Sequence, residues 1–516
     1  MSSPKESILI LGAGTMQIPA LVEARALGYL VIGVDGNPNA PGRQEADIFF
    51  PIDLKDTAGI VALIRAHKLE DRIAGVFTAG TDFSLSVAQL AQALGLPGNS
   101  LETARRATDK GLMRECFNLA GVKSPDFFVV HDGLPLEVQL ARMVISAPLV
   151  IKPVDSMGAR GVVKITDTQY ILPAITQALH FSRSGQVIVE QFIDGPEFSI
   201  DALFHEGELL CWAMAVRHIQ FPPVFIETGH SFPHGLSDEV AASLLEEFLK
   251  GVKAIGIENG AAKGDVFYSS RGPVIGEIAA RLSGGYMSGW TLPLASGVNI
   301  TRIALEIALG KKPVTPFLPT KAWFVEERAV LSFPGFVKDI VFFHPPEELP
   351  HFQHWFCRVQ PGDEVRFPRN NVEKAGNYIF AGESQEEVLR NTGRAVAWTF
   401  IRLDSSRVDV SHPLFFPERK DIPIAYEKNS SKGSDYHNAE ELSWDGRTYT
   451  EALDVFSRFY SHQKAEEHRI LVKILQRFGL QAMVLAADIL NNEEKDAVLS
   501  EKLYAIYSPG DHSPVV

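Results

Sequence analysis

The sequence predicts an α/β and α+β protein: an N-terminal parallel α/β domain, an α+β region, and a helical C-terminal extension. Over the first hundred residues strand-like and helix-like runs alternate with glycine at strand ends, the pattern of an open parallel sheet. From about residue 122 short strands follow one another closely, as in antiparallel sheet. Beyond about residue 405 the apolar spacing is helical. At 516 residues the chain also exceeds what one hydrophobic core serves, so several domains are expected.

In the first domain, residues 1–108, SILILGAG reads as a buried strand, MQIPALVEARALG as a helix and YLVIGVD as a second strand. A helix around TAGIVALIRAHKL, a third strand in IAGVFTAG and a helix through SLSVAQLAQALG complete it. The first strand runs into Gly12-Ala13-Gly14-Thr15-Met16-Gln17, which begins like the dinucleotide fingerprint GxGxxG but carries Gln17 in place of the third glycine. Asp35 closes the second strand, where an acid can hold a ribose. The broken fingerprint favours a tight turn, helix packing or a substrate-side role over NAD binding.

In the second region, residues 109–404, DFFVV, APLVIKPV, RGVVKITD and QVIVEQFI read as strands, with a helix in YILPAITQALHF. EFSIDALFHEGELLCWAMAVR continues the strands and DEVAASLLEEFLKGVKAIG is a long helix. AKGDVFYS and PVIGEIAA form a hairpin folded at Ser270-Arg271-Gly272. ITRIALEIALGKKP is a helix ended by Gly310 and Pro313. Residues 320–405 read as strands with a closing helix, SQEEVLRNTGRAVAWTFIRL. In the extension, 405–516, a polar linker near 427–435 precedes a long helical stretch from YTEALDVF to LAADIL.

The 49 basic residues against 63 acidic ones give a net charge of −14, the wrong sign for a nucleic-acid binder. The three cysteines, Cys116, Cys211 and Cys357, have no disulfide or zinc spacing, which points to a reducing, cytoplasmic location. The N-terminal apolar run is too short for a signal peptide, and no uncharged stretch approaches the ~20 residues that cross a bilayer. No membrane partner is expected.

Four features can carry chemistry. Lys152 ends a buried-looking strand, where an ammonium suits phosphate oxygens or snorkels outward. Ser156, Gly158 and Gly161 lie in a turn that can lay backbone N–H groups over phosphates, or can be an ordinary hairpin turn. A strand ends at Glu190, crosses a hinge at Gln191, Phe192 and Ile193, and restarts at Glu197. Such a hinge can read an adenine edge, with Glu197 accepting from ribose hydroxyls; a β-bulge with exposed acids is the plainer reading. Folding the hairpin sets Asp265 opposite Glu277, an unfavourable pairing that a Mg²⁺ between them relieves; the plainer reading leaves both acids solvated on an exposed face, against their apolar surroundings.

Taken in order, these pieces resemble the ATP-grasp superfamily over roughly residues 5 to 400. Thr108-Asp109-Lys110 looks like the family's helix-opening lysine, Lys152 in IKP like its second nucleotide lysine, and 156–161 like its phosphate-covering loop. EQFIDGPEFSID is similar to the adenine and ribose hinge, and Asp265 and Glu277 fall on the metal-bridging acids. The resemblance implies an N-terminal pre-ATP-grasp domain, a small lobe over about 122–192, and a large lobe with a closing segment over about 193–404. The nearest branch is the carboxylate–amine ligases that include L-amino-acid ligases and dipeptide synthetases. Glu227-Thr228-Gly229-His230-Ser231-Phe232-Pro233 looks like that branch's substrate loop, and VQPGDEV…AGNYIFAGESQEEV like its closing segment. Where many members carry asparagine two residues after the second metal acid, this chain has Ala279.

The resemblance implies an ADP-forming ligase that joins a small-molecule carboxylate to an amine, amino acids among them, through an acyl phosphate. ATP and Mg²⁺ (one or two ions, with Mn²⁺ able to substitute) are the implied cofactors. Lys110 and Lys152 would hold phosphates, and Asp265 and Glu277 the metal. Arg281 and the Ser283-Gly284-Gly285 amides would meet the acyl phosphate, and Glu227 and His230 the amine. A homodimer is compatible with this reading. The alternatives are a non-catalytic ATP-binding scaffold and an NAD-linked oxidoreductase using the N-terminal sheet.

Overall fold

The computed structural model describes residues 6–131, 135–314, 317, 319–426, 443–460, 465–491 and 497–507. The chain falls into two compact units, Met1–Val325 and Glu326–Val516. The polar linker expected near 427–435 lies outside the described residues.

The first unit begins with β1 (Ser7–Leu11), α1 (Ile18–Ala26), β2 (Leu30–Asp35), β3 (Ile48–Pro51), α2 (Thr57–Ala66), β4 (Ile73–Phe77) and α3 (Ser84–Leu94). The strands form a parallel sheet in the order β3-β2-β1-β4. Leu9, Leu11, Ile32, Val34 and Val76 fill its core with Ile60, Ile64 and Leu90 from the helices. The sequence reading counts three strands here; the structure has four. The missed one is IFFP, four residues ending in a proline at the sheet edge, where a missing N–H is tolerated.

Two helices follow, α4 (Leu101–Thr108) and α5 (Lys110–Ala120). Ser100 caps the first by accepting from Thr103 N, and Asp109 caps the second by accepting from Leu112 N. Lys110 is therefore the first residue of its helix. A small antiparallel sheet, ordered β5-β8-β6-β7, comprises β5 (Phe127–Val130), β6 (Leu149–Pro153), β7 (Val163–Ile165) and β8 (Val187–Gln191). The helices α6 (Leu136–Leu140) and α7 (Ile171–Leu179) belong to this lobe, and Ile171, Ala174, Ile175 and Ala178 pack on its strands.

The larger antiparallel sheet of this unit runs β13-β12-β9-β10-β11. Its strands are β9 (Glu197–His205), β10 (Glu208–Gln220), β11 (Ile226–Phe232), β12 (Gly260–Ser269) and β13 (Gly272–Ala279). The long helix α8 (Asp238–Ile255) covers one face through Leu244, Phe248, Val252 and Ile255. The unit closes with α9 (Leu292–Ser296) and α10 (Ile300–Ala308).

The second unit contains β14 (Phe324–Val330), β15 (Gly335–Phe342), β16 (Phe352–Cys357), β17 (Glu364–Val365), β18 (Gly376–Gly382), α11 (Gln385–Trp398) and β19 (Thr399–Leu403). Four helices follow: α12 (Tyr449–Phe459), α13 (Ala465–Phe478), α14 (Leu480–Leu490) and α15 (Ala497–Tyr507). β14-β18-β16 pair in one sheet and β17-β15-β19 in another. The sequence reading carries the closing helix through Phe400-Ile401-Arg402-Leu403. The structure ends it at Trp398 and makes Thr399–Leu403 a strand, as its β-branched and aromatic residues prefer. The C-terminal helices are bound into this unit, not hung beside it. Gln481 of α14 accepts from Phe333 N at 2.8 Å and donates to Leu331 O at 3.1 Å, and Arg402 pairs with Asp488 at 2.9 Å. No helix among the described residues is long and apolar enough to cross a membrane.

Candidate active site

Alternation along the strands sorts the larger sheet of the first unit into an apolar and a polar face. Phe198, Ile200 and Ala202 of β9, Ala262 and Val266 of β12, and Ile275 and Ile278 of β13 are buried in the core against α8. The intervening residues Glu197, Ser199, Asp201, Lys263, Asp265 and Glu277 share the other face. Register aligns them across strands: Asp265 lies beside Ser199 and Glu277, and Lys263 beside Asp201 and Ala279.

The Asp265–Glu277 pairing expected from sequence is present, but it is reached differently. The hairpin turns on two residues, Ser270-Arg271, because Ser269 pairs with Gly272. Uninterrupted pairing from there would set Asp265 against Gly276. A bulge between Asp265 and Val266 leaves Gly276 as an extra residue and brings Glu277 into place. The same bulge lets Ile275 and Ile278, three residues apart, both enter the core. A Cβ at Gly276 would lie 2.7 Å from the Phe267 ring and 3.1 Å from Asp265 O, so a side chain does not fit there.

Cations converge on these acids. Asp265 Oδ1 lies 2.5 Å from Lys263 Nζ and 3.1 Å from Arg217 Nη1, and accepts from Ser199 Oγ at 3.3 Å. Arg217 also binds Glu197, and it binds Glu227 at 2.8 Å, so one guanidinium serves three carboxylates. Burial pushes the Asp265 carboxyl up, but Arg217 and Lys263 outweigh it and hold the group below its ordinary value. Glu277 pairs with Lys110 Nζ at 3.3 Å and is the more open acid, its side chain 28% exposed. Burial acts upward on it as well, and Lys110 followed by Lys263 overcome that to keep it ionised.

Lys110 also donates to Ser156 O at 3.1 Å, which ties the start of α5 to the glycine turn between β6 and β7. Gly158 and Gly161 of that turn have φ of 67° and 72°, a left-handed conformation that favours glycine. Lys152 Nζ lies 2.7 Å from Glu190, and Arg114 Nη2 lies 2.9 Å from the same carboxylate. Burial pushes Glu190 up, yet Arg114 and Lys152 hold it low; burial likewise pushes Lys152 down, against Glu190. Glu190 is thus a buried counter-charge that fixes Lys152. The exposed acid of the bulge reading does not describe it. The chain does break between β8 and β9 at the expected hinge, where Phe192 stacks on Phe225 with Lys164 Nζ 3.4 Å above its ring.

The segment after β13 is pinned from two sides. Asp201 accepts from Ser283 N at 2.9 Å and Ser283 Oγ at 2.8 Å. Ala79 and Leu282 form a parallel bridge, and Ser84 Oγ donates to Ala280 O at 3.2 Å. This brings Asp82 to 4.0 Å from Arg281 Nε, a buried nitrogen with no hydrogen-bond partner. Gly285, at φ 59°, lies so close to β11 side chains that a Cβ would sit 2.8 Å from both Glu227 Oε1 and His230 Cε1. The substrate loop expected at 227–233 is a strand through Phe232: β11 pairs with β10, setting His230 beside Arg217. His230 is buried, 3.8 Å from Glu227, and belongs to the sheet instead of a loop.

Arg217, Lys263, Asp201, Arg114 and Asp82 were missed by the sequence reading. Lys263 and Asp201 carried a signal, since each sits an even number of residues from a singled-out acid on its own strand. Asp82 carried none, because its approach depends on tertiary packing. At the N-terminal glycines, Gln17 donates to Ala79 O, and a Cβ on Gly14 would lie 3.0 Å from Gln17 Oε1. The Gln17 side chain thus packs against both glycines of the broken fingerprint, a Cβ on Gly12 meeting it at 2.9 Å. A neighbouring cavity of ≈ 520 Å³ is lined by Gln17, Asp35, Asp53, Thr81 and Phe83.

Residues 145–289 match the ATP-grasp domain family, 21–98 the ATP-grasp N-terminal domain, and 330–403 the L-amino acid ligase C-terminal domain 2. These stretches mark an ATP-grasp domain preceded by an ATP-grasp N-terminal domain. Among solved ATP-grasp structures, an L-amino acid ligase from Bacillus licheniformis superposes with a TM-score of 0.66 at 22% identity, over 78% of this chain and 100% of that one. A phosphoribosylglycinamide synthetase from Anaerococcus prevotii gives 0.61 at 20%, over 78% and 100%. Human carnosine synthase 1 is 26% identical over 61% of this chain and 41% of its own length. An alanine–anticapsin ligase of Bacillus subtilis is 28% identical over 44% and 52%. The chain spans about half the length of these curated relatives.

Proposed function

We propose that the protein is an ATP-dependent carboxylate–amine ligase that forms an amide bond through an acyl phosphate and releases ADP and phosphate. The observation that carries this reading is that Lys110 joins Glu277 to the glycine turn, while Arg114 joins Glu190, the partner of Lys152, to Gly276 beside the Asp265–Glu277 pair. The match to an L-amino acid ligase C-terminal domain, and the relatives named for amino-acid ligation, favour amino acids as both substrates.

The donor set fits one divalent cation. Two carboxylates side by side, one of them open, suit a magnesium ion that keeps its remaining positions for waters and phosphate oxygens. Among the described residues no group of three or more His, Cys, Asp or Glu is placed to hold a metal. When bound, the ion would neutralise charge on the β and γ phosphates.

The chain's own residues do the rest. Lys110 and Lys152 offer fixed ammonium groups to phosphate oxygens, and the glycine turn offers N–H groups above them. The substrate carboxylate oxygen attacks the γ-phosphorus and ADP leaves; positioning and charge neutralisation carry that step. Arg281 and the amides of Gly284 and Gly285 stabilise the acyl phosphate and the oxyanion that forms when the amine attacks. Ser283, expected from sequence to join them, spends its N–H and hydroxyl on Asp201 and positions the segment instead. The amine nitrogen displaces phosphate and gives up its proton beside Glu227 and His230. Incubating the protein with ATP, Mg²⁺ and pairs from an amino-acid panel should yield ADP only when carboxylate and amine are both present. ADP formation in no pairing would refute the reading.

A further inference from the structure

We infer that the Lys263 ammonium occupies the place of a second divalent cation, so that this chain works with one metal ion and one built-in positive charge. The inference rests on the ligase reading above.

Lys263 and Asp265 are two residues apart on β12 and therefore side by side on the polar face. Asp265 Oδ1 is taken three times over, by Lys263 Nζ at 2.5 Å, Arg217 Nη1 at 3.1 Å and Ser199 Oγ at 3.3 Å. Three donors crowd that oxygen, and the Lys263 ammonium is the nearest of them. Directly across the hairpin from Lys263 stands Ala279, the next position on the face after Glu277, and its methyl group offers no donor. The two neighbours of the acid pair on this face thus hold an ammonium and a methyl group. Lys263 is held there, its side chain only 12% exposed, with the Asp201 backbone in register on its other side. Its charge reaches Glu277 as well, where it is second only to Lys110 among the charges opposing the effect of burial. An ammonium carries one positive charge without needing coordination by several oxygens, so it stabilises phosphate charge where ligands are too few for a metal.

The test counts Mn²⁺ by electron paramagnetic resonance on the full chain saturated with a non-hydrolysable ATP analogue. The expected count is one ion per nucleotide-bound chain in the wild type and in Lys263→Arg, and two in Lys263→Gln, where no ammonium stands beside Asp265 to repel a second ion. Two ions in the wild type overturn the inference, as does a count of one in a folded Lys263→Gln. Should Lys263→Gln not fold, the other two proteins decide: one ion in each supports the inference and two in either overturns it. A wild-type chain that binds no nucleotide analogue sinks the ligase reading itself, and this inference with it. A count of two sinks this inference alone.

Discussion

Asp265 and Glu277 stand opposite one another because Gly276 is bulged out of β13 between them. The spacing of the acids along the chain does not suffice. Without the bulge Glu277 would point into the core, against α8, where an unpaired carboxylate costs several kcal/mol. The bulge is tolerated because residue 276 has no side chain, with the Phe267 ring and the Asp265 carbonyl filling the space. Gly276 O is also claimed, by Arg114 Nη2 at 2.5 Å.

Gly276→Val should therefore damage both fold and site. Overpacking of this kind costs about 1–3 kcal/mol, read as a lower midpoint in urea. ADP formation should fall further than the unfolded fraction explains, because the acids lose register. A variant with wild-type turnover would show that the bulge does not position the site.

Lys152→Ala and Glu277→Gln should each abolish ADP formation, but with different effects on stability. Removing Lys152 takes one of two cations from the buried Glu190, and breaking such a pair costs about 3–5 kcal/mol. Glu277 is open enough that glutamine keeps its shape at little cost. Denaturation curves beside activity assays separate the two, and retained turnover in both would refute the assignments.

Arg217→Met should be more destabilising than either, since it strips the shared partner from Glu197, Glu227 and Asp265. The expectation is a loss of at least about 3–5 kcal/mol, lessened at low pH as the orphaned acids take up protons. A midpoint within 1 °C of wild type at neutral pH, on the scale where about 1 kcal/mol moves Tm by 2–4 °C, would contradict it.

Asp201 gives a pH signature. Burial pushes its carboxyl from 3.8 up to about 6, against the two hydrogen bonds from Ser283. The folded chain then binds more protons than the unfolded one between these values, so stability falls as pH rises through them. The cost is absent at lower pH and reaches about 3 kcal/mol above pH ~6. Asp201→Asn keeps an acceptor for Ser283 and removes that cost. Its melting temperature relative to wild type should be higher at pH 7.5 than at pH 4.5, and an equal difference at both would refute the assignment.

Much of this was legible because strand periodicity is local. PVIGEIAA and AKGDVFYS announce a hairpin, and the alternation of VIVEQFI announces a strand that ends at a hinge. Lys110 could be placed at a helix start only through the family resemblance of Thr108-Asp109-Lys110, and the Asp109 cap supplies the physical reason. The rest was hidden where partners come from distant sequence. Glu190 reads as an exposed acid until Arg114, 76 positions earlier, is seen against it. His230 reads as a loop residue because residues 227–233 resemble a substrate loop, yet β10 supplies the pairing that makes a strand. IFFP was passed over because a four-residue edge strand has too few alternations to register.

The central claim is an acyl phosphate formed at the Lys110–Glu277–Asp265 site, and oxygen tracing tests it most directly. With a productive substrate pair from the ADP screen, the carboxylate is labelled with ¹⁸O and the released phosphate is examined by mass spectrometry. One labelled oxygen should appear in phosphate for each amide formed, in the wild type and not in Glu277→Gln. Amide formed by the wild type with no label in phosphate would contradict the account.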